Sequence, residues 1–144
     1  MSNVRQRILD ILQQPQLACL ATVTSEGKPW VRYIFCLGRE DMSIRFATFK
    51  DSRKVAQIKS NPEVHLTCGV ATPAEMKPYL QIQGRAEFMN DTAERHGFWK
   101  ESLKSYFSGP DDANYGVVVI NPYRIELCTP GSNAPEVWCK GTDK

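Results

Sequence analysis

The feature that most constrains this fold is a succession of short alternating segments joined by tight turns. In residues 79–88, Leu80 and Ile82 alternate with Gln81 and Gln83, which is the period of two of a half-buried strand. Similar segments begin near residues 17, 29, 44, 64 and 116. Antiparallel strands can be joined by such short connections, whereas parallel strands need long crossovers. The pattern therefore predicts a mainly β fold, a compact barrel of about six antiparallel strands.

Three amphipathic segments lie before or between these strands and predict helices. Proline ends the first of them, and a residue before proline closes the second, because proline disfavours helical backbone in both positions. The expected helices begin near Val4, at Asp51 or Ser52, and at Asn90 or Asp91, and they end at Pro15, at Asn61-Pro62 and at about Leu103, respectively.

Length and composition predict one domain over residues 1–144, with a Gly-, Pro- and Ser-rich tail from residue 129 onward. The balance of 18 basic and 16 acidic residues argues against nucleic acid or a membrane surface as the main partner. Five cysteines without C-x-x-C spacing are typical of reduced thiols in a cytoplasmic protein. Only His65 and His96 are available as histidine ligands, so we expect no metal site. No apolar run approaches the length of a membrane span, about 20 residues.

The stretch from Ile44 to Pro62 predicts a strand, a polar corner and a short helix. Arg53 and Lys54 fall in the first turn of that helix, where a cation is mildly unfavourable and an anion is favoured. Two cations in this position suggest a bound anion such as a phosphate. The local pattern also fits an ordinary solvated basic turn, and it leaves both interpretations open.

The predicted strand over residues 29–37 carries a cation among apolar side chains. Its alternation places Arg32 on one side with Ile34, while Tyr33 and Phe35 lie on the other. Both sides are largely apolar, so we expect both to be covered. A buried charge needs a partner, and Arg32 could pair with a carboxylate or with a ligand phosphate.

Several motifs occur in an order that is characteristic of one family. They are Ala21-Thr-Val, Gly27-Lys-Pro-Trp-Val-Arg32, Ile44-Arg-Phe-Ala-Thr48, Ser52-Arg-Lys-Val-Ala-Gln-Ile, Asn61-Pro-Glu-Val, Gln83-Gly-Arg-Ala-Glu87, Phe107-Ser-Gly-Pro-Asp-Asp-Ala-Asn-Tyr115 and Pro122-Tyr-Arg-Ile-Glu126. Across residues 5 to 128 the chain thus resembles the pyridoxamine 5′-phosphate oxidase-like flavoproteins, which have the FMN-binding split barrel. The general stress protein branch is the most similar.

The resemblance implies an FMN site and a dimer. Arg32, Ser52, Arg53 and Lys54 would hold the FMN phosphate. Tyr33, Ile34, Phe35, Ala47 and Thr48 would border the flavin ring. Tyr79 stands where family members can use a glutamine that reaches the flavin of the partner subunit. Family members are typically homodimers with two FMN sites at the interface.

Two departures separate the chain from the true oxidases. Residues 128–144 lack the Arg-x-His pair that handles the pyridoxal substrate in that branch, so we do not expect pyridoxamine phosphate oxidation. Cys128 stands where that branch often has a tryptophan near the flavin, for which Trp138 is a candidate substitute.

These observations predict an FMN-dependent oxidoreductase of unknown substrate, with a small-molecule electron donor or acceptor. The alternatives are a flavin-binding or stress-response protein without turnover, and a split-barrel protein that uses a deazaflavin coenzyme or haem. Fold does not fix the cofactor.

Overall fold

The computed structural model describes residues 3–142, and its strands form a closed six-stranded antiparallel barrel with a short seventh strand. The strands are β1 (Gln16–Val23), β2 (Pro29–Gly38), β3 (Ile44–Phe49), β4 (Glu63–Cys68), β5 (Tyr79–Met89), β6 (Tyr115–Cys128) and β7 (Glu136–Cys139). Their order is β3-β2-β1-β4-β5-β6, and pairing of β3 with β6 closes the ring. The mainly β barrel predicted from the alternating segments is confirmed.

The strand β6 is long enough to serve two neighbours along one edge. Its first half pairs with β3 from Tyr115 to Ile120, and its second half pairs with β7 from Arg124 to Leu127. On the other edge it pairs with β5, and the register shifts at Gly84. A Cβ atom at Gly84 would stand 3.0 Å from the Asn121 carbonyl oxygen. Gly84 therefore marks a β-bulge and a close backbone approach, as glycine in an alternating strand often does.

The barrel is split between β2 and β3. These two strands share only the pairs Leu37–Arg45 and Gly38–Ile44, although β2 pairs with β1 along residues 29–36. From Leu37 back toward Pro29, β2 diverges from β3. The edge of β2 that faces β3 therefore has no strand partner within residues 3–142 over most of its length. This divergence opens the space in which the candidate site lies.

The three predicted helices are present as α1 (Val4–Leu12), α2 (Arg53–Ser60) and α3 (Thr92–Phe98). In α2, Val55 and Ile58 are buried, as their spacing predicts. The predicted end of α3 near Leu103 is wrong, because extended backbone at Trp99 ends the helix and a separate 3₁₀ turn follows over Glu101–Ser105. Gly97, a poor helix former, precedes that break.

The segment from residue 129 was expected to be a tail, but part of it joins the sheet as β7. Trp138 is only 6% exposed and belongs to the main core, so it packs the barrel rather than covering a flavin ring. An ion pair of 2.7 Å between Arg7 and Glu136 ties this strand to α1. Four residues are too short to show a periodic pattern among glycine, proline and serine.

One expectation for β2 is not met within a single chain. Ile34 and Cys36 face the core, but Val31, Tyr33 and Phe35 are 63%, 74% and 59% exposed. The outer face of β2, defined by these last three side chains, is therefore apolar and uncovered by the described chain. Within residues 3–142 there is also no helix with the length and apolar character needed to cross a membrane.

Candidate functional site

The predicted polar corner forms between the end of β3 and the start of α2. Lys54 donates a hydrogen bond to the Thr48 hydroxyl over 3.0 Å, and the hydroxyls of Thr48 and Ser52 lie 3.2 Å apart. Ser52 is the residue that caps α2, yet its side chain makes no capping hydrogen bond, and the first turn contains no acidic residue. The positive end of the helix therefore points its polar groups into the corner without a negative side chain.

Arg32 of β2 reaches the same corner and is held by neutral groups. Its guanidinium donates to the Thr22 hydroxyl over 2.7 Å, to the Gln57 side-chain oxygen over 2.8 Å, and to the carbonyls of Trp30 and Leu20 over 3.0 and 3.3 Å. The sequence left open whether Arg32 pairs with a carboxylate or with a ligand phosphate. Within residues 3–142, no carboxylate accepts a hydrogen bond from Arg32.

Three cations share this corner without a carboxylate. Within residues 3–142, Arg32, Arg53 and Lys54 take part in no ion pair. Burial, and then repulsion from Arg53, lowers the pKa of Arg32; burial, and then repulsion from Arg32, lowers the pKa of Lys54. A bound anion would reverse both effects, because an opposite charge nearby favours the charged form of each group. We call Arg32, Thr48, Ser52, Arg53 and Lys54 the anion corner.

Arg53 also has an aromatic neighbour. Its guanidinium carbon lies 6.0 Å from the centre of the Trp30 ring, at the outer limit of a cation–π contact. The contact places the Arg53 guanidinium beside an aromatic ring, which adds no negative charge to compensate it.

Next to the anion corner, a cleft of about 290 Å³ opens between β2 and β3, which we call the ring cleft. The sequence-predicted residues that line it are Tyr33, Ile34, Phe35, Ala47, Thr48 and Lys54. Lys54 and Thr48 belong to both the corner and the cleft, so an anionic group in the corner could be continuous with a flat apolar group in the cleft.

The far wall of the ring cleft was missed from the sequence. It is formed by the segment after α3 through the following turn, with Phe98, Lys100, Ser102, Leu103, Tyr106 and Phe107 in the lining. Phe107 packs against Phe49 and Tyr115, with ring centres 4.7 and 4.9 Å apart. Only the aromatic spacing of this segment hinted at packing, and nothing local indicated which strand it covers.

Two residues that hold Arg32 were also missed as site residues. Gln57 lies one helical turn after Arg53 on α2, and Thr22 is buried on the core-facing side of β1 with Ala18 and Leu20. The available signal was Thr22 itself, a polar side chain at an inward position of an otherwise apolar strand.

Tyr79 lies apart from the anion corner. It lines a second, larger cleft of about 770 Å³, bounded by α1, β1 and the connection before β5. Tyr33 lines both clefts. Cys128 pairs with Tyr79 across the strands, and its thiol approaches the Gln81 side-chain oxygen at 3.5 Å. Within one chain, Tyr79 is therefore not placed with the other predicted flavin contacts.

The two histidines lie outside the ring cleft. His65 is exposed on β4, and the His96 ring lies 2.7 Å from the Asp111 carboxylate. Across the described part of the chain, no group of three or more His, Cys, Asp or Glu side chains is placed to hold a metal ion.

Comparison with known proteins finds one family over nearly the whole barrel. The model of the family described as "Pyridoxamine 5'-phosphate oxidase" matches residues 4–129. The chain is 30% identical to General stress protein 26 of Bacillus subtilis over 133 residues, which covers 92% of this chain and 94% of that protein. It is 39% identical to the pyridoxine/pyridoxamine 5′-phosphate oxidase of Bombyx mori over 78 residues, but spans only 29% of that enzyme's length.

Solved structures share the fold. The crystal structure of General Stress Protein 26 from Bacillus anthracis superposes with a TM-score of 0.81 at 27% identity, covering 96% of this chain and 99% of that one. A haem-binding protein from Mycobacterium smegmatis gives 0.75 at 16% identity, covering 96% and 59% of the two chains. An F420 reductase gives 0.62 at 25% identity, covering 81% and 93%.

Proposed function

Because the chain belongs to the pyridoxamine 5′-phosphate oxidase family, we propose that it is an FMN-binding flavoprotein and an oxidoreductase. The observation that carries the proposal is the anion corner, in which three cations lie together with no ion-pair partner among residues 3–142 and adjoin an apolar cleft. An FMN molecule presents a phosphate dianion and an aromatic ring in that same succession. The residues present therefore fit the cofactor.

Arg32, Ser52, Arg53, Lys54 and the Thr48 hydroxyl would hold the phosphate. A charge-assisted hydrogen bond contributes about 1.5 to 3 kcal/mol, whereas micromolar binding needs about 8 kcal/mol net. The corner thus supplies a large part of the binding free energy, and burial of the ring has to supply the rest.

The ring cleft would hold the isoalloxazine ring, with the backbone edges of β2 and β3 available beside it. Bound FMN would supply hydride and electron transfer, while the protein binds the ring and tunes it. Ile34, Phe35 and Ala47 offer the apolar surface for this. The partner in the reaction would be a small-molecule electron donor or acceptor.

We also propose that the working unit is a homodimer with FMN at its interface. At about 290 Å³, the ring cleft is at the small end of the usual range of about 300 to 1,000 Å³ for small-molecule sites, and a second subunit would add cover for a flavin ring. The outer face of β2 continues onto β1, where Leu17 is exposed opposite Phe35. A contiguous exposed apolar patch of this kind marks an interaction surface. Two further points support the same arrangement. Family members are typically dimers, and Tyr79 lies away from the ring cleft of its own chain.

Val31→Asp tests the dimer, because Val31 lies on the outer face of β2 but does not line the ring cleft. Sedimentation of the purified protein should give a dimer that the variant converts to monomer at micromolar concentration, because burial of an unpaired carboxylate is costly. The matched control is Val137→Asp, which changes an exposed valine on β7 and should leave the dimer intact. A wild-type monomer would contradict the proposal.

The proposed reaction is not pyridoxamine phosphate oxidation, since residues 128–144 lack the Arg-x-His pair of the true oxidases. The chain also spans less than half the length of the curated oxidases that it matches, 29% and 45% for those of Bombyx mori and Yersinia enterocolitica. We place the protein in the cytoplasm because its five cysteines are free thiols, as expected in a reducing compartment.

The deciding experiment is cofactor identification. The purified protein should show a flavin spectrum, and mass analysis of the released compound should give FMN. Titration of the cofactor-free protein should rank FMN at least 10-fold above riboflavin. Preferential binding of coenzyme F420 would favour the deazaflavin alternative, which the similarity to an F420 reductase supports. Preferential binding of haem would favour the other alternative, although neither histidine lines the ring cleft.

Turnover separates the oxidoreductase from a flavin-binding stress protein without activity, the candidate that the similarity to General stress protein 26 supports. FMN-loaded protein should be reduced by NAD(P)H in the steady state with at least one acceptor from a panel of quinones, dyes and oxygen. Absence of catalytic reduction with every pair, despite FMN binding, would establish the non-catalytic alternative.

A further inference from the structure

We infer that Gln57, acting with Thr22, is a positioning residue that orients Arg32 while leaving its positive charge uncompensated for an anionic ligand. The inference rests on the proposed function in taking FMN as the ligand, but the arrangement itself would serve any phosphate.

The hydrogen bonds assign each group a definite role. The Gln57 side-chain oxygen accepts from the Thr22 hydroxyl over 2.5 Å and from Arg32 over 2.8 Å. The Thr22 hydroxyl in turn accepts from Arg32 over 2.7 Å. Because a guanidinium has donors and no acceptor, the Gln57 atom that faces it must be the amide oxygen.

The three groups form a closed triangle across three elements of the fold. Thr22 is 1% exposed on β1, Arg32 extends from β2, and Gln57 lies on α2 next to the cationic first turn. Two of the guanidinium nitrogens are therefore fixed in direction by a buried hydroxyl and a helical side chain. A fixed fork loses little conformational freedom when a ligand arrives.

The neutrality of Gln57 is the essential property. A glutamate of nearly the same shape would make a charge-assisted pair with Arg32 and would repel a phosphate in the corner. An amide oxygen accepts the same hydrogen bonds but adds no net charge. The corner thus keeps the repulsion of Arg32 by Arg53 and of Lys54 by Arg32, which adds to burial in lowering the pKa of Arg32 and of Lys54, and a ligand dianion offsets it.

Gln57→Glu tests the inference by direct binding. FMN affinity of the cofactor-free variant should fall at least 10-fold, while riboflavin affinity stays within 2-fold, because only FMN has the phosphate. The melting temperature of the ligand-free variant should be equal or higher, since the new carboxylate offsets three cations. A merely structural role for Gln57 would lower the melting temperature and weaken both ligands together.

A second variant and a control keep the test decisive if Gln57→Glu folds poorly. Thr22→Val keeps the shape of the buried side chain and removes its hydroxyl, so FMN affinity should fall about 3- to 10-fold with riboflavin unchanged. Gln13→Glu adds the same charge at an exposed position after α1 and should change neither affinity.

Inorganic phosphate separates this inference from the proposed function. Millimolar phosphate should raise the melting temperature of the wild type, and Gln57→Glu should abolish most of that rise. Wild-type protein that responds to phosphate but binds no FMN would overturn the proposed function and leave the role of Gln57 standing. Unchanged phosphate and FMN binding in Gln57→Glu, or no response of the wild type to phosphate, would overturn the inference.

Discussion

Two arginines on strands of the same barrel are held in opposite ways. Arg45 on β3 makes a two-pronged ion pair with Glu94, with both bonds at 3.0 Å, and a further bond of 2.6 Å to the Ser43 hydroxyl. It is 8% exposed. Arg32 on β2 has a comparable number of hydrogen bonds, but each of them goes to a neutral group.

The difference teaches how the fold distinguishes a structural cation, Arg45, from Arg32, the cation that we propose binds a ligand. The carboxylate of Glu94 compensates the charge of Arg45, and this ion pair links α3 to β3. The amide of Gln57 and the hydroxyl of Thr22 hold Arg32 by hydrogen bonds and leave its positive charge uncompensated. Arg45 is buried and Arg32 is half-buried, but the chemistry of their acceptors decides whether each charge is compensated.

The largest expected effect is on the anion corner. Arg53→Ala combined with Lys54→Ala should weaken FMN binding by about 30- to 1,000-fold, because two charge-assisted contacts together contribute about 2 to 4 kcal/mol after screening. Riboflavin, which has no phosphate, should lose less than about 3-fold. Fluorescence titration of the cofactor-free protein measures both, and equal losses for the two ligands would refute the phosphate assignment.

The comparison itself is tested by the same substitution at both arginines. Arg45→Met should lower the free energy of unfolding by about 2 to 3 kcal/mol, because it leaves the partly buried Glu94 carboxylate without its partner. FMN affinity should be retained. Arg32→Met should cost less than about 1 kcal/mol of stability and should weaken FMN binding roughly 10- to 100-fold. Urea unfolding measures the stability of each variant, and titration measures its FMN affinity. If both variants lost stability and affinity in parallel, the distinction between the two arginines would be wrong.

Acidification should affect only the Arg45 side of the comparison. The hydrogen bonds from Arg45 lower the pKa of Glu94 below its ordinary value. A carboxyl with a lowered pKa in the folded state stabilises the protein above the pKa of the unfolded chain, about 4.3, and this stabilisation is lost as the pH falls through the folded value.

Glu94→Gln should therefore be less stable than the wild type at pH 7, by about 1 kcal/mol, and the difference should shrink as the pH falls below about 4.3 and through the lowered pKa of Glu94. Unfolding curves collected between pH 3 and pH 7 measure it. A constant difference over that range would show that Glu94 acts through packing and not through its charge.

The smallest effect concerns the cost of keeping cations together. Because folding lowers the pKa of Lys54, its charged form opposes folding below the pKa of the folded state, and this opposition fades as the pH rises toward the unfolded value. Lys54→Met should thus raise the stability of ligand-free protein at pH 7 by less than about 1 kcal/mol, while it weakens FMN binding. A loss of stability would mean that the Thr48 contact outweighs the repulsion.

The anion corner was predictable from the sequence because it is local. Ile44 to Pro62 contains the strand, the cap and both cations, and the structure confirms each of those elements. Arg32 joined the prediction because a charge stood out in an apolar strand. The acceptor that it finds, Gln57, lies 25 residues away and carried no comparable signal.

The rest depended on contacts between distant segments. The far wall of the ring cleft exists because Phe107 packs between Phe49 and Tyr115, and no local period encodes that arrangement. The strand β7 was missed because four residues in a glycine- and proline-rich segment are too few to show a period, and only their pairing with β6 defines them as a strand. Alternation predicts which side chains face the core, but not what covers the other side of β2.

The divergence of β2 from β3 also affects how readily the newly synthesised chain aggregates. Within residues 3–142, β2 has an unpaired edge and an exposed apolar face of Val31, Tyr33 and Phe35; such an edge is a template for pairing with another extended chain, and natural proteins usually protect such edges. Here the split that forms the proposed ligand site also leaves this edge open in a single chain. If the proposed cofactor and dimer cover this edge, the supply of cofactor and the pairing of subunits should govern how much of the protein escapes aggregation during expression.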